Sequence, residues 1–228
     1  MRARLSVVIP VLNAAQSLPA CLAALVEGLE AGLIRELILS DGGSEDATVA
    51  IAEAAGAELV SGPPSRGGQL RRGARQAGGE WLLFLHADTV LPPGWAALVQ
   101  GQMARDGGPA CFRLRFGDGG WQAAMVAGWA NLRTRLFALP YGDQALLISR
   151  RDYDAIGGYR DIPLMEDVAI ARALGRRIRL LPGHAITSAE RYERDGWARR
   201  GAANLSFLVR YLMGADPNRL ALKYRSKR

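Results

Sequence analysis

Cysteine and histidine are scarce, two of each in 228 residues: Cys21 and Cys111, His86 and His184. Two cysteines build no disulfide framework, and no Cys/His cluster has zinc spacing. No apolar run approaches the ~20 residues of a membrane span. The one N-terminal candidate, Leu5 to Val26, is broken by Pro10, Asn13, Gln16, Ser17 and Pro19, so it reads as structure and not as a secretion signal. The expected location is the cytoplasm. Neither of the common glycine-rich nucleotide fingerprints is present: no G-x-x-x-x-G-K-[ST], and no G-x-G-x-x-G after the first strand. Low-complexity and linker-like stretches are also missing, which argues for one domain.

What is present is ordinary for a folded protein: 49% hydrophobic and 22% charged residues, enough apolar surface to offset chain entropy. The 27 glycines follow no period and imply tight turns and close backbone approaches. Charge is uneven. The net +7 is concentrated after residue 171, where 14 Lys/Arg face 4 Asp/Glu. Phosphates, anionic membranes and nucleic acid all suit such a segment; without a helix-turn-helix or finger pattern, DNA is not expected.

Short apolar runs, the first of them β-branched, alternate with helical spacings through the first hundred residues. Leu5 to Pro10, Leu37 to Leu39, Ala57 to Val60 and Trp81 to Leu85 read as strands, with helices from Ser17, Asp46 and the Ser61–Gly73 segment between them. That order predicts a doubly wound, mostly parallel sheet flanked by helices. Further on, Cys111 to Phe116 alternates with Arg113 and Arg115, as an exposed or edge strand does. Trp121 to Phe137 and Met165 to Leu174 read as helices, and Ala145 to Ile148 as a strand. Leu181-Pro-Gly-His184 reads as a turn, and Trp197 to Met213 as a long amphipathic helix with a basic face. Trp81, Trp95, Trp121 and Trp129 are expected in the core and not as sugar-stacking platforms, with Trp121, after a glycine-rich turn, left open between the two.

Ligands of open α/β sheets collect beyond the carboxyl ends of the strands. Pro10 to Asn13, Asp41-Gly-Gly-Ser44 and His86-Ala-Asp88 fall at such ends. A single Asp after a strand commonly caps the next helix, but Asp41 suits a base or ribose contact and Asp88 a hard divalent cation. Gly67-Gly68 with Arg66, Arg71, Arg72 and Arg75 suggests a phosphate-facing loop opening a helix. Glu166-Asp167, read alone, are acids at a helix N-terminus.

Together these segments resemble family 2 glycosyltransferases of the GT-A fold. The resemblance rests on Ser6-Val-Val-Ile-Pro-Val-Leu-Asn13, Leu37-Ile-Leu-Ser-Asp-Gly-Gly-Ser-Glu-Asp46, Gly79 to Asp88, Gly157-Gly-Tyr159 and Met165-Glu-Asp167. A narrower likeness, to a bacterial subgroup associated with radical-SAM/selenodomain proteins and arsenosugar biosynthesis, rests on Gly142-Asp-Gln144, Asp161 to Asp167 and Thr187-Ser188. The resemblance implies a nucleotide-sugar half over 1–100, contacted by Pro10, Leu12, Asn13, Asp41, Arg66, Gln69, His86, Ala87 and Asp88. It implies an acceptor-side half over 101–228, with Gly142, Asp143, Gln144, Arg191, Arg194 and Trp197 toward diphosphate and acceptor. Asp88 would hold Mg²⁺ or Mn²⁺, Asp167 would be the general base supported by Glu166, and the default donor would be a UDP-sugar.

Three departures stand out. His86 replaces the first Asp of the metal motif, Arg71 stands where the subgroup has Asn, and Arg191 to Trp197 is longer than the related Gln-x-x-Arg-Trp element. The leading expectation is an inverting, metal-assisted transfer to an acceptor hydroxyl. The alternatives are a nucleotidyltransferase on a similar scaffold and a non-catalytic nucleotide- or membrane-surface-binding module. The basic C-terminal quarter, in which Arg199, Arg200, Arg210, Arg219, Lys223, Arg225, Lys227 and Arg228 surround Leu205, Phe207, Leu208, Tyr211 and Leu212, suits a helix that docks on the domain, on an anionic bilayer, or both.

Overall fold

The computed structural model describes residues 3–225; Lys227 and Arg228 of the basic tail lie outside the described residues. The first half alternates strands and helices as the sequence predicts: β1 (Leu5–Val11), α1 (Leu18–Glu30), β2 (Ile34–Asp41), α2 (Thr48–Ala54), β3 (Glu58–Ser61), α3 (Arg66–Gln76) and β4 (Trp81–Phe84). A two-residue β5 (Thr89–Val90) and α4 (Trp95–Ala104) follow. The second half comprises β6 (Ala110–Phe116), α5 (Gly120–Phe137), β7 (Leu146–Ser149), α6 (Arg150–Ala155), α7 (Glu166–Leu174), β8 (Arg179–Thr187), α8 (Glu190–Asp195), α9 (Trp197–Leu212) and α10 (Pro217–Arg225).

One eight-stranded sheet runs in the order β3-β2-β1-β4-β7-β6-β8-β5. β3, β2, β1 and β4 pair in parallel, as does β6 with β8; β7 is antiparallel to both neighbours and β5 to β8. Strand alternation divides the core. Leu5, Val7, Ile9 and Leu83 face one layer with Leu25 of α1 and Trp95 of α4, while Val8, Leu82 and Phe84 face the other with Leu70 of α3 and Tyr153 of α6. Cys21 and Cys111 are both buried, and burial pushes both thiols up to about 12. A third cluster packs α7 against α9 and α10 through Val168, Phe207 and Leu220.

Four expectations are corrected. β6 is not an edge: both its sides are paired, and Arg113 and Arg115 are exposed because they alternate with Leu114 and Phe116, which pack with α5. Leu181-Pro-Gly-His184 is not a turn but part of β8. The register steps from Cys111↔Leu180 to Arg113↔His184, so the extra residues form a bulge, and Gly183 admits Leu98 and Phe112 at close range. Trp121 and Trp129 are not core residues; they are 71% and 55% exposed. The Gly67-Gly68 pair serves packing within the protein: a side chain at Gly67 would overlap the carbonyl of Arg160, and one at Gly68 would crowd Asp161.

Candidate active site

The site lies where the parallel strands end. Two adjoining cavities open there and share Arg66, His86, Asp88, Leu164, Arg191 and Tyr224. The first is walled by Pro10 to Ala14 at and beyond the end of β1, by Pro64, Ser65 and Gln69 around the start of α3, and by Ala87. The second is walled by Tyr141 to Asp143, by Met165, Glu166 and Asp167 at the start of α7, by Thr187 and Ser188 ending β8, and by Arg200, Asn204 and Phe207 of α9.

The first wall is held by hydrogen bonds to loop backbone. Gln69 Nε2 donates to Val11 O at 2.8 Å and Ser40 O at 2.9 Å, tying the ends of β1 and β2 together. Asn13, in the left-handed region at φ 49°, donates its backbone amide to Ser44 Oγ and accepts from the Glu45 amide on Oδ1. The amides of Ala14 and Ala15 donate to Thr48 Oγ1 and Asp46 Oδ2. These contacts fix the loop so that Leu12 and Asn13 remain exposed at its rim.

Asp41 is placed differently from the expectation. Its buried carboxylate accepts from Gly43 N at 2.8 Å, Ser44 N at 3.0 Å and Ser44 Oγ at 2.6 Å, and it does not line either cavity. It shapes the 41–44 turn in the manner of an Asx cap. Of the four arginines around α3, only Arg66 lines the cleft. Arg72 binds the carbonyls of Pro63 and Asp41, and Arg75 is exposed.

His86 and Asp88 stand between the cavities. Burial, followed by Arg66, lowers the His86 pKa to about 4 against the opposing pull of Asp88, so the ring is neutral at physiological pH. The ring touches Gly142 so closely that any side chain there would overlap it. Among the described residues no hydrogen bond or ion pair engages the Asp88 carboxylate. Nor does any group of three or more His, Cys, Asp and Glu side chains there form a metal cage. Mg²⁺ and Mn²⁺ commonly bind one or two carboxylates and take their other oxygens from substrate phosphates and water. One free carboxylate facing an open cleft fits a cation shared with a bound diphosphate, with the neutral His86 imidazole beside it.

The acidic side is built at the start of α7. Met165 adopts φ 65°, which turns the chain so that Glu166 and Asp167 open the helix. Asp167 Oδ2 accepts from the Gly142 amide at 3.1 Å and Oδ1 from the Val168 amide at 2.7 Å. Glu166 is 1% exposed, lies 3.6 Å from Arg66 Nε, and has no hydrogen-bond partner on either oxygen. Burial raises its pKa to about 7, opposed by Arg66. Asp143 Oδ1 is likewise buried and unpartnered, and burial outweighs Arg133 to bring this carboxyl to about 7.

Three further expected residues lie outside the cavity walls. Gln144 is fully buried, bonded to Thr134 and Phe112. Arg194 pairs with Asp195 at the surface, and Trp197 stacks on Tyr192 and meets Phe116 edge-on. Arg191 does face the cleft. The site also contains residues that sequence reasoning did not assign, chiefly Thr187, Ser188, Arg200 and Asn204. Thr187-Ser188 carried a signal, since it ends a strand beside the cleft; Arg200 and Asn204 lie on a helix whose inner face emerges only from packing.

A family model described as glycosyl transferase family 2 matches residues 6–158. A PGL/p-HBAD biosynthesis glycosyltransferase of Mycobacterium tuberculosis is 40% identical over 93 residues, 38% of this chain and 36% of the relative. The match therefore spans about a third of the curated relative's length. Among solved structures, glucosyl-3-phosphoglycerate synthase from M. tuberculosis in complex with Mn²⁺ and UDP-glucose superposes with a TM-score of 0.59 at 22% identity, covering 89% of this chain and 78% of that one. S. aureus TarS 1–349 gives 0.64 at 15% identity, covering 93% and 66%. Those likenesses establish the fold, and the family match, spanning two-thirds of the sequence, establishes kinship: the chain belongs to glycosyl transferase family 2.

Proposed function

We propose that the chain transfers a sugar, with inversion, from a UDP-sugar to an acceptor hydroxyl. The observation that carries this reading is the junction of the two cavities, where Arg66, His86, Asp88 and Arg191 face both. A diphosphate seated there has cationic groups around it, a nucleoside-sized cavity on one side, and the carboxylates of Glu166 and Asp167 on the other. The name of the Mn²⁺- and UDP-glucose-bound structural relative supports the choice of donor. The motifs Gly142-Asp-Gln144 and Asp161 to Asp167 support membership of the radical-SAM-associated bacterial subgroup.

In this reading the acceptor oxygen forms a bond to the anomeric carbon as the bond from that carbon to the phosphate oxygen breaks. The hydroxyl proton passes to Asp167, and UDP departs carrying the electron pair. Asp167 is held for this by the amides of Gly142 and Val168, which fix the carboxylate without neutralising it. A positioned base of this kind contributes roughly 10²–10⁴-fold. Arg66 and Arg191 stabilise charge growing on the leaving diphosphate, in a fixed arrangement that needs no reorganisation. A divalent cation held by Asp88 would add Lewis-acid stabilisation of that same charge. Attack from the Asp167 side, opposite the diphosphate, inverts the anomeric centre.

Thermal-shift titration with UDP, with and without Mn²⁺, tests the donor half. Mn²⁺-dependent stabilisation by UDP that disappears in Asp88→Ala is expected; a preference for nucleoside triphosphates would favour nucleotidyl transfer. On an identified acceptor, Asp167→Asn should lower kcat by about 10²-fold or more with UDP binding retained. A larger loss in Glu166→Gln than in Asp167→Asn would exchange their roles.

A further inference from the structure

Helix α5 is apolar on two opposite sides. Ala123, Ala127, Ala130 and Thr134 are buried toward β6, while Trp121, Met125, Trp129, Leu132 and Leu136 are exposed. The exposed set recurs at intervals of four, four, three and four, which makes one continuous row along a helix about 27 Å long. A surface helix ordinarily turns polar residues to water on that side. Such a row marks an interaction surface.

Charge identifies what covers it. No acidic residue occurs between Asp118, just before the helix, and Asp143, so the charged residues of α5 itself are Arg133, which is buried, and Arg135, which is exposed beside the apolar row. The same holds for α9, which packs on α5 through Trp197 over Gly119: between Asp195 and Asp216 there is no acid. α9 also has an outward apolar row, Leu205, Val209 and Leu212, bordered by exposed Arg199 and Arg210. Apolar rows with tryptophan, edged by arginine and free of carboxylates, complement the interface of an anionic bilayer, where indole rings settle at headgroup depth and arginines meet lipid phosphates. No helix among the described residues is long and apolar enough to cross a membrane.

We propose that the outward face of α5, extended by α9, docks on an anionic lipid surface. This contact is independent of the transfer chemistry, because none of the outward residues lines the cleft. The opposite side of α9 does line it, through Arg200, Asn204 and Phe207. Docking would therefore hold the acceptor-side cavity close to the bilayer, within reach of an acceptor borne by a lipid.

Co-flotation of the full chain with phosphatidylcholine vesicles, with and without phosphatidylglycerol, tests the proposal. The chain should float with the phosphatidylglycerol vesicles at low salt and release as salt rises. The double variant Trp121→Ser/Trp129→Ser should weaken binding by about tenfold or more. Arg135→Glu/Arg210→Glu should remove the preference for the anionic lipid. Because all four side chains are exposed, each variant should keep the parent's circular dichroism spectrum and melting temperature. Absence of flotation at low salt overturns the proposal, as does flotation unchanged in the tryptophan variant. Sedimentation velocity supplies the remaining arm. A stable dimer that the tryptophan variant dissociates and vesicles do not disrupt would assign the face to a second copy of the chain and overturn the lipid assignment.

Discussion

Arg66 Nε lies 3.6 Å from Glu166 Oε1, joining the first residue of α3 to the first residue of α7 across the cleft. The arginine is partly exposed and the glutamate is not, so the pair is asymmetric. Arg66 retains water, whereas Glu166 has no hydrogen-bond donor and depends on Arg66 for its charge. Replacing Arg66 by Met should cost roughly 1–3 kcal/mol, the desolvation penalty of a buried carboxyl left without its partner. Adding Glu166→Gln to that variant should recover part of the loss. Urea denaturation of the two single variants and the double variant checks this, and additive losses would show that the pair is not coupled.

Asp143 predicts a pH dependence of stability. Its carboxyl is raised from 3.8 to about 7 in the folded protein, chiefly by burial. Between those values the native state binds a proton that the unfolded chain has released, so stability falls as pH rises through this window. The slope from one such group is at most about 1.4 kcal/mol per pH unit. His86 acts in the opposite sense between about 4 and 6.5, because its pKa is lowered in the folded state and stability from this group grows with pH there. Asp143→Asn should therefore make the stability curve more upward-sloping between pH 5 and 7 than the parent's, read by denaturant melts at fixed ionic strength. Identical curves would mean Asp143 is ionised in the fold.

Two glycines separate packing against backbone from packing against a side chain. A methyl at Gly67 would overlap the carbonyl of Arg160 and crowd Ile162, neither of which moves without displacing the loop. Its helical propensity would favour Ala by about 1 kcal/mol, yet Gly67→Ala should still destabilise by about 2–3 kcal/mol. At Gly142 the obstacle is the His86 ring, which can rotate. Gly142→Ala should cost less in stability, about 1–2 kcal/mol, while shifting the amide that holds Asp167 and lowering turnover. Thermal melts set beside a kcat measurement on both variants check the contrast.

The alternating strands and helices of the first half are legible because each strand is a short, largely apolar run ended by a polar or turn residue. The motif ends at Asn13, Asp88 and Asp167 are legible for the same reason, since strand and helix termini face a common edge. Gly67-Gly68 misleads because spacing alone does not show whether a glycine admits a phosphate or another stretch of backbone. Leu181-Pro-Gly-His184 misleads because a bulge uses the same residues as a turn. Asp41 shows the same limit in a carboxylate: capping its own loop and contacting a ribose need the same residue at the same place. Trp121 and Trp129 are misplaced by any rule that sends large aromatics inward, because α5 already has a buried face of small residues.

The position of β7 has a consequence for dividing the chain. β4 ends the run of parallel strands from the first hundred residues, and its free side is occupied by Leu146–Ser149, which arrive more than sixty residues later. The layer around Trp95 likewise needs Phe112, Leu147 and Ala185 from the later half. A fragment ending near residue 100 would present a bare strand of Trp81, Leu82, Leu83 and Phe84, with unpaired amides and carbonyls along one edge, a template for intermolecular pairing. Expressed alone, such a fragment should accumulate as insoluble aggregate. Co-expression with the complementary piece, which carries the missing strand, is the route by which it would regain solubility.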